Sequence, residues 1–308
     1  PPLEPSFCLS LSSPSSILAC ISDPGLILEN YMKPQTNLTL FIFLLLLSFV
    51  SLHSTLSRAQ ETEDESEFDY RKGSEKGPQH WGELKKEWAS CKHGKSQSPI
   101  DLSTRRVTIV PRTGLLENTY KPQKATLKNR GHDIQVKWEG DAGSIRVNGS
   151  DFFLHQAHWH SPSEHTINGR RYDMELHMVH SSSSKPEKVV VVGVLYKIGR
   201  PDPFLSKLGK YIRKMVDEVG EEEIGYIHPL GISKRGRNYF TYMGSLTVPP
   251  CTEGVLWIIN HKVRTVSREQ VKLLREAVHD YAERNARPLQ PRNDREIELH
   301  LPIKKPRY

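Results

Sequence analysis

Short runs of apolar residues that alternate with polar ones recur between residues 107 and 261 of this chain. Successive side chains of a β-strand point to opposite faces, so alternation bounded by Gly, Pro, Asn and Asp predicts strands. Nine strands are expected on this basis: residues 107–110, 125–128, 134–138, 144–147, 152–159, 172–180, 189–198, 239–244 and 255–261. Because no regular helices separate them, these strands favour a largely antiparallel sheet.

Two later segments have helical periodicity instead. The first begins with Asp202 as N-cap and Pro203 in the first turn, and Gly220 would end it. The second opens with a capping box of Ser267 and Gln270. Each carries one apolar stripe: Phe204, Leu208, Tyr211, Met215 and Val219 in the first, and Val271, Leu274, Val278 and Tyr281 in the second. We expect two surface helices packed on the sheet, within one domain over residues 70–302.

The amino-terminal part has the pattern of a secretory signal. Residues 1–31 contain no methionine, and we interpret them as an upstream extension that is not native to the protein. Met32, a short apolar run at residues 38–50 and small residues up to Ala59 predict a signal peptide over residues 32–59, with a retained signal-anchor as the alternative. The acidic residues 60–69 are expected to form a mobile leader, and residues 303–308 a basic tail.

Charge and composition exclude some classes of partner. The 308-residue chain has a formal net charge of +7 at pH 7, and its basic residues are dispersed apart from the terminal KKPR. Without a nucleic-acid motif, this balance indicates a solvated surface, so no nucleic-acid partner is expected. The apolar run near the amino terminus is short for a membrane span, so we expect no stable membrane anchor. The oligomeric state is not predicted.

Export also bears on the cysteines. Cys8 and Cys20 fall in the upstream extension, which leaves Cys91 and Cys251 as a pair expected to join in an oxidising compartment. Closing so long a loop stabilises a fold by up to about 5 kcal/mol in the chain-entropy model. Asn148 lies in a turn, in the sequon Asn-Gly-Ser, and is therefore a predicted glycosylation site for a protein that passes through the secretory pathway.

Histidines are concentrated in one stretch of the chain. Six fall between residues 155 and 180, out of 14 in the whole sequence. By strand parity, His158 and His160 share a face with Gln156, and the NGRR turn at residues 168–171 would fold a second strand back, with His177 on the same face as Glu175.

Three neutral imidazoles with a fourth position open to water form the ligand set of a catalytic zinc site. Gln156 and Glu175, each two residues before a ligand, are placed to hold the second ring nitrogen of His158 and His177. The alternative is a set of ordinary surface or partly buried histidines. That alternative is kept for His155 and His180, which point to the opposite face by parity.

Several separated motifs in this sequence resemble one known family. They are GPQHW, SQSPIDL, KNRGHDIQV, HQAHWH, SEHTINGRRYDMELHMVH, GSLTVPPCTEGVLW and RPLQPRNDR. Together they resemble the alpha-class carbonic anhydrases, and closely their secreted plant members, over about residues 70–301. The resemblance implies a mainly β single domain around a ten-stranded, mostly antiparallel twisted sheet with peripheral helices. It also implies Zn²⁺ as cofactor, carbon dioxide and bicarbonate as substrates, and a disulfide between the two remaining cysteines.

The resemblance implies further roles for single residues. His158, His160 and His177 match the zinc ligands, and Thr247 matches a hydroxyl that orients the zinc hydroxide and is itself held by Glu164. His132 matches the proton shuttle, and Tyr70 a tyrosine of the water network. The pocket for carbon dioxide matches Val179, Val191, Leu246, Thr247, Val248, Val255 and Trp257. Without the resemblance, Glu164 and the histidine after it would be interpreted as a surface pair, and His132 as a histidine of a turn. The valines would be interpreted as core residues.

Three positions depart from the family pattern. Val248 stands where many members have a second threonine, and Arg130 and Gln135 replace two residues that are commonly asparagine beside the shuttle. The resemblance implies a secreted enzyme of the apoplast, or of the chloroplast by a vesicle route, that hydrates carbon dioxide reversibly through zinc-bound hydroxide. The alternative is a non-enzymatic storage or binding protein with the same fold, and ester hydrolysis would be a side activity of the enzyme.

Overall fold

A computed structural model describes residues 67–112, 116–216, 218–231 and 238–302. Its strands are β1 Asp101–Leu102, β2 Thr108–Arg112, β3 Gln123–Asn129, β4 Ile134–Trp138, β5 Ser144–Val147, β6 Ser150–His160, β7 Thr166–Ile167, β8 Arg170–Arg171, β9 Met174–Ser181, β10 Val189–Ile198, β11 Gly220–Ile227, β12 Tyr239–Ser245, β13 Glu253–Asn260, β14 Arg264–Val266 and β15 Glu298–Pro302. Its α-helices are α1 Trp81–Leu84, α2 Ser90–His93, α3 Pro203–Ile212 and α4 Arg268–Ala277, and 3₁₀ turns span Lys86–Trp88, Pro229–Gly231 and Asp280–Ala282.

One large sheet dominates the described part of the chain. Ten strands follow the order β11-β3-β4-β6-β9-β10-β13-β12-β15-β2, with β14 beside β10 and β5 beside β6, which makes twelve strands in all. Pairing is antiparallel except at β10–β13, β10–β14 and β15–β2. The expected mainly β, mostly antiparallel architecture is therefore confirmed, and the principal path has the expected ten strands.

The central strand β10 is apolar along nearly its whole length because both of its faces are covered. Val190, Val192 and Val194 belong to one buried apolar cluster, whereas Val191 and Leu195 belong to a second. Burying a valine fully contributes roughly 1.5 kcal/mol or more. The sheet thus separates two cores, and the histidine stretch lies on β6 and β9 beside this strand.

The first helix is shorter than its apolar stripe predicts. The side chain of Asp202 caps it by accepting from the backbone N of Phe204 at 2.9 Å, and Pro203 occupies the first turn. However, α3 ends at Ile212, and Gly220 begins strand β11, so the prediction that this glycine ends a helix is wrong. The backbone after Gly220 instead bonds to β3 at the edge of the sheet, where exposed acidic residues are tolerated.

The capping box of the second helix is confirmed. Ser267 accepts from the backbone N of Gln270, and the Gln270 side chain bonds back to the backbone N of Ser267. The helix ends at Ala277, before the predicted stripe residue Tyr281, because the chain becomes extended at Val278 and continues toward the hairpin between β3 and β4.

Strands β11 and β15 were missed by the alternation pattern, as were the short strands β1, β7, β8 and β14. Strand β11 is interrupted by a bulge near Gly225 and carries a run of glutamates, so its sequence does not alternate cleanly. Strand β15 ends at Pro302 at the carboxyl-terminal limit of the described residues. Both lie near the edges of the sheet, where apolar alternation is weakest.

The predicted leader overlaps the fold. Phe68 and Asp69 are 1% and 3% exposed, although the sequence placed them in the mobile segment over residues 60–69. The Phe68 ring packs on Trp81, with ring centroids 5.3 Å apart, because its apolar surface is buried there. The predicted extension at residues 1–31, the signal peptide at 32–59, the leader up to residue 66 and the tail at 303–308 lie outside the described residues. Among the described helices, none has the length and apolar character to cross a membrane.

Candidate metal centre

Three histidines converge on one face of the sheet. His158 and His160 lie on β6, and His177 lies on β9 directly opposite His158. Their ring centroids are 4.6–5.2 Å apart, and one nitrogen of each lies within 4.8 Å of the other two. All three are at most 1% exposed, so the parity predicted from the sequence brings them together in a buried site.

Each of these histidines has a hydrogen-bond partner on its other ring nitrogen. Nδ1 of His158 meets Oε1 of Gln156 at 2.8 Å, and Nε2 of His177 meets Oε1 of Glu175 at 3.0 Å. For His160, Nδ1 meets the backbone carbonyl of Asn285 at 2.7 Å. Gln156 and Glu175 therefore occupy the predicted positions. Asn285 was missed, because its contact uses a backbone carbonyl far along the chain, which leaves no pattern in the sequence.

The electrostatics of the site differ from one group to the next: they favour neutral His158 and ionised Glu175, but they favour the protonated form of His160. Burial holds the pKa of His158 well below its usual range. Burial also acts to lower the pKa of His160, but the Glu164 carboxylate and the Asn285 carbonyl outweigh it and raise that pKa. For Glu175, burial opposes ionisation, yet His165 and His177 hold its pKa well below normal. A neutral imidazole has the free lone pair that a metal ligand needs.

Glu175 also organises a second histidine that the sequence did not single out. His165 bonds through Nδ1 to Oε1 of Glu175 at 2.7 Å and through Nε2 to the Tyr242 hydroxyl at 2.6 Å. Both oxygens of Glu175 are used, because Oε2 accepts from the backbone N of Glu164 and of His165. His165, Glu175 and His177 lie close enough together to resemble the ligands of a metal ion. Their hydrogen bonds to one another indicate instead a network that holds His177 in place.

The predicted hydrogen bond between Thr247 and Glu164 is not formed. Oε1 of Glu164 accepts from the backbone N of Arg287 at 2.8 Å, and Oε2 is buried without a hydrogen-bond partner in the described part of the chain. This second oxygen lies 3.7 Å from Nε2 of His160 and 3.9 Å from Nε2 of His177. This second oxygen of the carboxylate thus faces the histidine cluster.

An apolar wall adjoins the three histidines. Val179, Val191 and Trp257 are paired in register across β9, β10 and β13, so their side chains share the face that carries His177. The Trp257 ring lies 4.7 Å from the His177 ring. Together with Leu246 and Val255, these side chains belong to one apolar cluster.

Val248 belongs to a different apolar cluster from these wall residues. Because the chain bends at residues 247–250, its side chain packs in a separate cluster with Phe68, Trp81 and the two disulfide cysteines. That Val248 lines the pocket stays a prediction.

The histidine site is chemically suited to zinc. Nε2 of His160 is buried and has no hydrogen-bond partner among the described residues, a costly state that a metal would relieve. Three histidine nitrogens without a cysteine nearby match an open catalytic zinc site better than a closed structural one. The three residues therefore fit the metal that the sequence predicts.

Comparison with known proteins identifies the family. The family model for eukaryotic-type carbonic anhydrase matches residues 76–300. The chain belongs to the alpha carbonic anhydrase family. It is 54% identical to carbonic anhydrase Nec1 of Nesocodon mauritianus, covering 86% of this chain and 95% of that protein. It is 52% identical to alpha carbonic anhydrase 7 of Arabidopsis thaliana, covering 88% and 100%.

Solved structures of the carbonic anhydrase fold agree with this assignment. Dioscorin complexed with ascorbate has a TM-score of 0.75 and 43% identity, over 78% of this chain and all of that one. The alpha carbonic anhydrase of Thermovibrio ammonificans, in complex with sulfanilamide, has a TM-score of 0.68 and 37% identity, over 75% and 98%. The mainly β fold with one large mixed sheet is thus the carbonic anhydrase fold.

His132, the residue that matches the family's proton shuttle, is held in a buried turn. Its ring packs on Phe68, with centroids 5.2 Å apart, and its Nε2 lies 3.8 Å from Oδ2 of Asp133. Arg130 forms a two-pronged ion pair with Asp133 at 2.6 and 2.8 Å. The positive charge that Arg130 brings beside His132 is therefore compensated by Asp133, and burial shields this pair from salt. Gln135 lies opposite His158 on β4 and is also buried.

The remaining predicted residues lie around this centre or on the surface. Tyr70 packs edge-on against Trp81, with ring centroids 5.5 Å apart. Cys91 and Cys251 form the predicted disulfide, with Cα atoms 5.0 Å apart. Asn148 is exposed at the tip of the two-residue hairpin between β5 and β6, where its positive φ of 48° suits asparagine.

Proposed function

We propose that this protein is a zinc enzyme that hydrates carbon dioxide reversibly to bicarbonate and a proton. The observation that carries the proposal is the buried trio of His158, His160 and His177, each with its second ring nitrogen hydrogen-bonded. Membership of the carbonic anhydrase family supports the same reaction on small-molecule substrates.

His158 and His160 would hold the metal through Nε2, and His177 through Nδ1, because the opposite nitrogens are occupied by their partners. Zinc in such a site supplies a hydroxide nucleophile at neutral pH, for which carbonic anhydrase is itself the standard example. Gln156 and Glu175 keep the imidazoles in the required tautomer and orientation.

The protein's own residues prepare the substrate and the reacting oxygen. The wall of Val179, Val191 and Trp257 offers carbon dioxide an apolar surface beside His177 and excludes water there. Thr247 offers a hydroxyl from a loop that the disulfide at Cys251 closes. Oε2 of Glu164 is buried without a partner in the described chain, so it would be available to accept from this hydroxyl and thereby orient the nucleophile.

Proton release would use His132. A histidine accepts and releases protons near neutral pH because its ordinary pKa is about 6.5. Tyr70 lies beside Phe68, which packs on the His132 ring, and would help to order water on this route.

Secretion is part of the same proposal. We infer a signal peptide at residues 32–59, a mature chain that begins at about Gln60, and glycosylation at Asn148. The protein would then reach the apoplast, or the chloroplast by a vesicle route, and the oxidising secretory pathway accounts for a disulfide. The disulfide itself is formed between Cys91 and Cys251.

The test is removal and return of the metal. The purified chain should contain about one zinc equivalent, lose hydration activity when a strong chelator removes it, and recover activity on addition of zinc. A non-enzymatic binding protein with this fold is the rival hypothesis. Full zinc occupancy without hydration above the uncatalysed rate would favour that rival, and absence of zinc binding would overturn the metal assignment as well.

A further inference from the structure

The side chain of Asn285 joins the turn that carries His132 to the strand that carries His160. Its Nδ2 donates to the backbone carbonyl of His132 at 2.8 Å and to that of Trp159 at 3.2 Å. Its Oδ1 accepts from the backbone N of Ser161 at 2.8 Å. Trp159 and Ser161 are the chain neighbours of His160. A single amide side chain therefore bonds to the backbone on both sides of His160 and to the backbone carbonyl of His132.

The chemistry of these contacts fixes the orientation of the amide. Both partners of Nδ2 are carbonyl oxygens, which only accept, and the partner of Oδ1 is a backbone N–H, which only donates. All of the usual donor capacity of the side chain is filled, and it is only 4% exposed. An isosteric carboxylate would set an oxygen against two carbonyl oxygens.

The rest of the turn is tied to other elements. The carbonyl of Gly131 accepts from the backbone N of His279 at 3.0 Å, and the N of Gly131 donates to Oδ1 of Asn129 at 2.9 Å. Arg130 and Asp133 close the turn by a backbone bond and a buried ion pair. These bonds shape the turn, whereas the Asn285 side chain links the turn to the histidine strand, beside the pairing of β4 with β6.

We propose that the Asn285 side chain is a positioning residue that sets the place of His132 relative to the metal centre. The inference rests on the proposed function for its kinetic consequence, and on geometry alone for the anchoring itself. Proton transfer is sensitive to distance and alignment, so a displaced His132 slows it while the remainder of the site stays assembled. The backbone carbonyl of Asn285, which bonds to His160, is kept in every substitution.

Three variants separate the anchoring from other effects. Asn285→Asp keeps the shape and reverses the donors, and Asn285→Ala removes the side chain. Asn168→Asp is the matched control, because Asn168 is exposed and its Oδ1 accepts from the backbone N and hydroxyl of Thr104, a role that a carboxylate keeps.

In dilute buffer, Asn285→Asp should lower kcat by about 10- to 100-fold and leave kcat/KM within about twofold. A small imidazole-type buffer should restore the rate, and the substitution should add no further loss of kcat in a His132→Ala background. A loss that persists in that background, or that appears equally in kcat/KM, would show that Asn285 acts through His160 and would overturn the proposal.

A second readout does not depend on activity. In the zinc-free protein, hydrogen exchange of the backbone amides at residues 130–133 should be about tenfold faster in both Asn285 variants than in wild type and in Asn168→Asp. Unchanged exchange would overturn the anchoring even if the wild type is an active enzyme. If exchange is faster in the Asn285 variants but the wild type does not hydrate carbon dioxide, the anchoring is supported and the proposed function is contradicted.

Discussion

His158 and His177 lie directly opposite each other on neighbouring antiparallel strands, with ring centroids 5.2 Å apart and planes nearly perpendicular at 88°. A shift of one residue in the pairing would turn one of the two imidazoles to the other face of the sheet. The register of β6 and β9 therefore decides whether the ligand set exists, and the apolar pattern of both strands fixes that register.

Gln156 orients a proposed zinc ligand by its 2.8 Å contact with Nδ1 of His158. Gln156→Ala should weaken zinc binding about 10- to 100-fold, since an unsupported imidazole can rotate away from the metal. Competition with a chromogenic chelator measures the affinity. The exposed Gln79→Ala is the control and should bind zinc like wild type. Equal affinities for all three proteins would show that Gln156 has no such role.

His132→Ala should lower kcat in dilute buffer and leave kcat/KM nearly unchanged, because the hydration step does not need the shuttle. A small imidazole-type buffer should restore much of the rate. Added salt should change this behaviour little, since the Arg130–Asp133 pair beside His132 is buried. Measuring kcat against buffer concentration for wild type, His132→Ala and the surface variant His93→Ala decides the matter. The same buffer dependence in all three would mean that protons leave by another path.

The disulfide should account for a large share of the stability. Cys91→Ser with Cys251→Ser should lower the free energy of unfolding by up to about 5 kcal/mol, because the open chain has more conformations when unfolded. Denaturant titration with and without reducing agent measures this. Reduction should destabilise wild type and leave the double variant unchanged. A wild type insensitive to full reduction would contradict the expected contribution.

Buried His180 should make the fold sensitive to acid. Its Nε2 bonds to the Tyr120 hydroxyl at 2.6 Å, and burial lowers its pKa from 6.5 to about 3. Between pH 6.5 and pH 3, His180 is protonated in the unfolded chain but stays neutral in the folded chain. The free energy of unfolding therefore falls as the pH drops from 6.5 toward 3, by up to roughly 5 kcal/mol. His180→Gln should be less stable at neutral pH and lose less on acidification. Parallel pH–stability curves for the two proteins would show that His180 does not cause the effect.

The sequence predicted best where a pattern is local. Strand parity placed His158, His160 and His177 on one face, and the Ser267 capping box marked a helix start. It failed where a long-range pairing decides the structure. The residues after Gly220 form a strand because they make backbone hydrogen bonds to β3, and no local sequence pattern predicts this pairing.

The same division holds inside the site. Gln156 and Glu175 were found because they lie two residues from their histidines, whereas the Asn285 carbonyl and His165 reach the site only through tertiary contacts. Arg130 was noted from the sequence only as a departure from the family pattern, and its buried ion pair with Asp133 was not predicted.

The central claim is that the three histidines form the whole protein ligand set for zinc. It is tested most directly by the carbon dioxide hydration rate of His177→Ala beside wild type and His155→Ala, a control whose imidazole bonds to Ser181. We expect wild type and His155→Ala to be active, and His177→Ala to lose nearly all hydration and most bound zinc while the disulfide-closed fold survives. A folded His177→Ala that keeps wild-type hydration and a full zinc equivalent would contradict the account.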